Sequence, residues 1–243
     1  MTERQQISFT FWTMTNIKDE NIGIKLSQLF LERNDELKPE FWWGGKYDKV
    51  KVNETAPKQF IGALIDFTEN HGFLEYTRYI FSSKESKSRE FIFYIQFGGI
   101  PETFFNLSFS ISHEYFTTLE RITKIIDIMR QLILLLDPFH GSFHDVSDSI
   151  NCHSRNQVYD IPNKIPRVYW GNYFGEMYLQ KITKKKLESF EGYKNKKIGN
   201  GRYIQLTESP FDFNTKIFKK KQKELEKLIG KKFLGYREVK LPY

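Results

Sequence analysis

The side chains best suited to chemistry cluster in one short stretch, His140-Gly-Ser-Phe-His144 followed by Asp145, with Cys152-His153 close behind. Imidazoles, a carboxylate and a thiol together suggest either a metal centre or a nucleophile. Zinc holds nitrogen at about 2.0–2.1 Å, whereas on a strand His140 and His144 share a face ~13 Å apart at ~3.3 Å per residue. Joint ligation would need a turn at Gly141-Ser142. No CxxC or HExxH spacing supports it, and Cys152 is the lone cysteine. As a nucleophile, Cys152 would need His140, His144 or His153 as base, an orienting third group and an oxyanion donor. The sequence places neither of the last two, so a cysteine/histidine-dependent hydrolase ranks third among the readings. The expectation is no catalytic residue, no metal and no cofactor.

Phosphate chemistry fares no better. Gly199-Asn-Gly201 lacks the third glycine and the following helix of a dinucleotide fingerprint, and Gly230-Lys231-Lys232 lacks the spaced glycine and the Ser/Thr of a phosphate-binding loop. Both read as turns, with Asn200-Gly201 a hairpin signal. Large aromatics beside glycines remain, in Trp42-Trp43-Gly44-Gly45 after Pro39 and in Tyr169-Trp-Gly-Asn-Tyr-Phe-Gly175. Such groups anchor protein interfaces. Trp42, Trp43, Lys46, Tyr173 and Phe174 are therefore the candidate partner-binding residues, with Lys49 and Lys51 completing a basic rim around the tryptophans.

Charge is uneven. Residues 181–243 hold 18 basic and 7 acidic residues, a net +11, against −4 for the remainder of a chain whose net charge is +7. Blocks such as Lys184-Lys185-Lys186 and Lys219-Lys220-Lys221 suit an acidic protein or nucleic acid. They are nearly all Lys, where base and phosphate recognition favours Arg. Solubilising charge is the bland alternative.

The elements that must position these groups follow from periodicity. Ile7, Phe9 and Phe11 alternate with Ser8 and Thr10, a strand with one buried face. A helix follows from about Ile22 to Leu31, then a loop carrying Phe41-Trp42-Trp43. A second helix runs from Pro57 to Asn70, and an antiparallel meander covers Tyr76 to Ser82, Glu90 to Phe97 and Thr103 to Ser112. Leu119, Ile122, Ile126, Met129, Ile133 and Leu136 recur at helical spacing, with Ile125, Ile128, Leu132 and Leu135 widening the stripe, on a helix from Tyr115 to Asp137. Past a polar stretch, 145–164, come a strand Arg167 to Tyr173, a helix Glu176 to Phe190, and a strand Tyr203 to Thr207. A last helix from Asn214 to Ile229 turns Ile217, Phe218, Leu225, Leu228 and Ile229 inward. The fold expected is a single α+β domain over 1–243 with a mixed, mainly antiparallel sheet and about five helices. It subdivides into arms 1–145 and 165–243 that run strand, helix, strands, helix, as a divergent duplication would.

At 243 residues, 40% hydrophobic and 16% aromatic, the chain is long and apolar enough to bury a core and too apolar for disorder. Met-Thr-Glu-Arg-Gln-Gln at the start lacks the basic and apolar runs of an export signal, and Leu132 to Leu136 is far short of the ~20 apolar residues of a spanning helix. A cytoplasmic protein with no membrane association is expected.

Arg167-Val-Tyr-Trp-Gly-Asn-Tyr-Phe-Gly175, the helix with Tyr178-Leu179, and Gly199-Asn-Gly-Arg-Tyr-Ile-Gln-Leu-Thr-Glu-Ser-Pro-Phe-Asp-Phe213 resemble the C-terminal part of bacterial immunity proteins of the polymorphic-toxin and type VI secretion families. Leu29-Phe-Leu and Leu37-Lys-Pro-Glu-Phe-Trp-Trp43 are similar to their first helix and the aromatic loop after it. The resemblance implies neutralisation of a cognate toxin by binding, without catalysis. A basic chain departs from the acidic nucleic-acid mimics among such proteins, which points to a toxin with an acidic contact surface. Nucleic-acid binding through the basic C-terminal region is the runner-up.

Overall fold

Alternation sets the first strand. In β1 (Gln6–Thr13) Ile7, Phe9 and Phe11 are fully buried while the residues between them are half-exposed, and Phe9 lies flat on Phe109, ring centroids 4.6 Å apart. The structure, a computed structural model, describes residues 6–17, 19–33, 37, 41–44, 47–66, 77–82, 92–100, 104–149 and 157–238. Its fold is α+β, and the chain divides into two units, Met1–Asp137 and Pro138–Tyr243.

In the first unit β1 is followed by α1 (Glu20–Phe30), β2 (Phe41–Gly44), β3 (Tyr47–Lys51), α2 (Ala56–Asp66), β4 (Thr77–Ser82), β5 (Ile92–Ile100), β6 (Phe104–Ser112) and α3 (Leu119–Leu136). Six strands form an antiparallel sheet in the order β1-β6-β5-β4-β2-β3, so the expected meander stands. Asp19 caps α1 by accepting from the Asn21 and Ile22 amides, and Leu26, Leu29 and Phe30 face inward as their spacing requires. One expectation is corrected here: Phe41-Trp42-Trp43 is not a loop but strand β2, paired on both edges, with Trp42 opposite Val50 and Phe81. Gly44, opposite Tyr47, closes the described part of β2.

Helix α3 begins later than its periodicity suggests. His113–Tyr115 form a 3-10 turn, and the helix starts only where Thr118 accepts from the Arg121 amide. It stops at Asp137, in the left-handed region at φ 40°. Its buried face is Ile125, Ile128, Met129, Leu132, Ile133 and Leu136, which lies between the two apolar stripes. Leu119 is 73% exposed and Ile126 only half-buried.

The second unit contains β7 (His140–Asp145), α4 (Val146–Ser149), β8 (Gln157–Tyr159), β9 (Gly171–Phe174), α5 (Glu176–Ile182), α6 (Lys184–Glu188), β10 (Lys194–Ile198), β11 (Gly201–Gln205), α7 (Lys216–Ile229) and β12 (Tyr236–Glu238). Strands β10-β11-β9-β7 are antiparallel, and β8 pairs separately with β12. The boundary between units falls at Asp137–Pro138, ahead of the polar stretch 145–164.

Three further expectations shift for local reasons. The strand placed at Arg167 begins only at Gly171, because the Asn172 side chain takes both the Tyr169 amide (3.0 Å) and the Tyr169 carbonyl (2.8 Å) and removes them from any ladder. The helix Glu176 to Phe190 breaks at Thr183, φ 72°. Unbroken, the face carrying Leu179 and Ile182 would continue through Lys186; the break turns Leu187 inward instead, fully buried, and leaves Lys186 exposed. In α7 the buried set is Phe218, Gln222, Leu225 and Ile229, with Ile217 69% exposed.

Candidate functional site

The histidine cluster is a strand. His140 and His144 lie four residues apart on β7, about 13 Å by strand rise, so no turn at Gly141-Ser142 brings them to one ion. His140 is fully buried; its Nδ1–H donates to the Tyr173 carbonyl at 2.9 Å, and its ring meets Phe174 and Tyr178. A carbonyl only accepts, which fixes the tautomer. Burial pulls its pKa down to about 4, the backbone hydrogen bond opposing. His144 stacks on Tyr169 with centroids 4.2 Å apart and is likewise lowered to about 4 by burial, Asp145 raising it and Arg167 lowering it further. Both rings are neutral packing groups at physiological pH. No group of three or more His, Cys, Asp or Glu able to hold a metal occurs among the described residues. Cys152 and His153 lie outside those residues.

Next to this strand sits an ionic cluster that spacing along the chain does not announce. The Asp148 carboxylate, almost fully buried, receives Arg167 Nη2 at 3.0 Å and has Lys219 Nζ at 3.8 Å, while Arg167 Nη1 donates to the Asp148 carbonyl at 2.8 Å. Burial raises the Asp148 pKa; Arg167 and Lys219 pull it back, and Asp145 adds to the rise. Glu226 on α7 is also raised by burial, with Arg167, Lys219 and Lys223 opposing. The Arg167 guanidinium lies 5.8 Å from the Tyr169 ring centroid. Cations from two segments thus tie α4 to α7 and to the chain before β9. The arrangement holds elements together and presents no nucleophile. Its members are charged residues scattered over the second unit, so only the fold could reveal them.

The aromatic-glycine segment is core. Tyr169, Trp170, Tyr173 and Phe174 are each at most 2% exposed, which corrects the assignment of Tyr173 and Phe174 to partner contact: neither presents any surface. The segment pairs with β11 in the register Tyr173↔Tyr203 and Gln205↔Gly171, and Leu206 donates to the Trp170 carbonyl at 2.8 Å. Trp170 Nε1 donates to the Thr207 carbonyl (2.9 Å), Tyr203 Oη to Gln205 Oε1 (3.0 Å), and Gln205 Nε2 to the Thr207 carbonyl (2.8 Å). Its glycines are close approaches, not hinges. A Cβ on Gly175 would run into the Pro138 carbonyl oxygen, and one on Gly201 into Tyr173 Oη.

Of the remaining candidates, Trp42 and Trp43 stand on β2 as paired strand positions, and Lys46 lies outside the described residues. The blocks Lys184-Lys185-Lys186 and Lys219-Lys220-Lys221 are placed on α6 and α7, where a groove of about 630 Å³ has Phe190 and Leu228 at its base and Lys186, Lys220 and Lys227 at its rim. No described helix is long and apolar enough to cross a membrane.

No family model matches the chain, and no curated protein matches it. Among solved structures it is similar in fold to the Pseudomonas aeruginosa T6SS protein PA0821, with a TM-score of 0.50 and 12% identity, over 90% of this chain and 73% of that one.

Proposed function

We propose that this chain is an immunity protein that binds a cognate bacterial toxin or secreted effector in the cytoplasm and blocks it by contact, without catalysis or cofactor. The observation that carries the reading is the fold shared with a protein whose name assigns it to the type VI secretion system. The resemblance of Arg167–Gly175 and Gly199–Phe213 to immunity proteins agrees with it; within those segments β9 and β11 pair as neighbouring strands. Buried, neutral His140 and His144 argue against acid–base work at this site. The partner is a toxin with an acidic contact surface, and Trp42 and Trp43 with Lys46 are its proposed contacts in the first unit.

The test is protection. The toxin encoded beside this gene in its source strain is expressed with and without the chain, and growth is followed. Rescue by wild type, lost in Trp42→Ala or Trp43→Ala at unchanged melting temperature, supports both reading and contacts. Rescue that survives both substitutions moves the interface elsewhere. Tight, salt-steep binding to generic DNA or RNA in place of rescue favours a nucleic-acid-binding module.

A further inference from the structure

We propose that the groove between α6 and α7 is the docking surface for an acidic, amphipathic segment of the toxin partner, an inference that rests on the reading above. The base of the groove is apolar: Phe190, 5% exposed, and Leu228, half-buried. Ile217, 69% exposed, precedes Lys221 by four residues and Leu228 by eleven, so it extends the same face of α7. The rim is basic. Lys186 comes from α6, turned outward by the break at Thr183, and Lys220 and Lys227 from α7. Lys220 is 77% exposed; Lys221 is held over the floor, 5.8 Å from the Phe190 ring centroid and 3.4 Å from Glu224.

The two features together select the occupant. Four lysines against Glu191 and Glu224 leave the groove positive within a unit that is itself strongly basic. An apolar floor gives phosphate backbones nothing to use, and the rim contains no arginine for bidentate phosphate or base contact. A partner helix with apolar residues at i, i+4, i+7 and i+11 and acidic residues beside them uses both: its apolar stripe, about 16 Å long, matches the eleven-residue span from Ile217 to Leu228 and covers Phe190, and its carboxylates meet the lysine heads. Lysine stems widen the apolar surface while their ammonium groups stay in water.

Fluorescence anisotropy of the full chain with three probes of matched net charge tests this. The probes are a Glu-rich peptide with Leu at i, i+4, i+7 and i+11, a peptide of the same composition scrambled, and a DNA duplex. The amphipathic peptide is expected to bind at least tenfold tighter than either other probe. Combined Lys186→Gln, Lys220→Gln and Lys227→Gln should weaken it at least tenfold, and Ile217→Ser alone several-fold, each at unchanged melting temperature. Should the triple variant fold poorly, Ile217→Ser still decides, since its side chain supports no core. Equal binding of the scrambled peptide or the duplex, indifference to the substitutions, or a dimer of the chain that the triple variant dissociates each overturn the proposal. In the protection assay, a triple variant that protects as well as wild type removes the groove and leaves the immunity reading standing. A wild-type chain that fails to protect removes that reading, while the peptide titration still judges the groove.

Discussion

Gly175 accepts a neighbour that no other residue could. Its amide donates to the Phe139 carbonyl at 3.0 Å, and an added Cβ would collide with the Pro138 carbonyl oxygen and sit 2.7 Å from Phe139 Cα. These are backbone atoms and cannot rotate away. Gly175→Ala is expected to cost roughly 2–3 kcal/mol, as overpacking does, read as a fall in the urea midpoint at constant slope; an unchanged midpoint would show that the β9–α5 junction relaxes freely. The buried histidines predict a pH dependence with a definite sign. Their pKa values stand near 4 in the fold against 6.5 for an unperturbed imidazole, so between those values the unfolded chain binds more protons. Their neutral burial is at full strength above pH 6.5 and weakens as pH falls toward 4, by about 3 kcal/mol per ring. Asp148 and Glu226, raised by burial, work in the opposite sense and soften the decline. Denaturant midpoints should therefore drop from pH 7 to 4.5, and His144→Phe should flatten the curve. A wild-type profile already flat in that window would mean the rings reach solvent.

At the scale of elements, α3 shows what periodicity can and cannot fix. Two interleaved apolar stripes told that the helix exists and is buried, but not where its face points; packing on β1 and α1 chose the line between them, leaving Leu119 outside and Ile126 at the edge. Leu132→Asp, at a fully buried position, should unfold the first unit, because an unpaired carboxylate cannot be solvated there. Ile126→Asp should cost far less, and Leu119→Ser nearly nothing, in thermal melts of the three variants. Equal losses at Ile126 and Leu132 would restore the outer stripe. The meander was readable because β-branched and aromatic runs alternate with turn residues. The late start of β9 was not, since it depends on one side chain, Asn172, outcompeting the ladder. The break at Thr183 was hidden for a similar reason: nothing in Lys184-Lys185-Lys186 announces that continuing the helix would bury a lysine. Of the candidate site, Tyr173 and Phe174 were misassigned because large aromatics beside glycines read as interface anchors, whereas Gly171 makes room for the Phe143 and Tyr203 rings and Gly175 for the Pro138–Phe139 backbone. The Asp148–Arg167–Lys219 tie joins residues far apart in sequence.

For the whole molecule, charge is the dominant long-range property. The second unit carries 21 basic and 11 acidic residues, net +10, and the first 16 and 19, net −3. Exposed charges act over about 10 Å at 0.1 M salt and about 3 Å at 1 M. The association rate of the acidic amphipathic peptide should thus fall at least tenfold between about 0.05 and 0.5 M salt, with the dissociation rate changing less, in stopped-flow measurements. A rate insensitive to salt would show that the lysines play no part in encounter. The packing of β9 against β11 has a consequence for descent. Several residues of the segments that resemble immunity proteins, Trp170, Asn172, Gly175 and Gln205 among them, close the chain's own core and have no freedom to vary with a partner. On the proposed immunity reading, relatives that meet different toxins should keep these four nearly fixed and diverge fastest along the outward faces of α6 and α7. In a set of such sequences, partner choice would be written on the helices and ancestry in the strands.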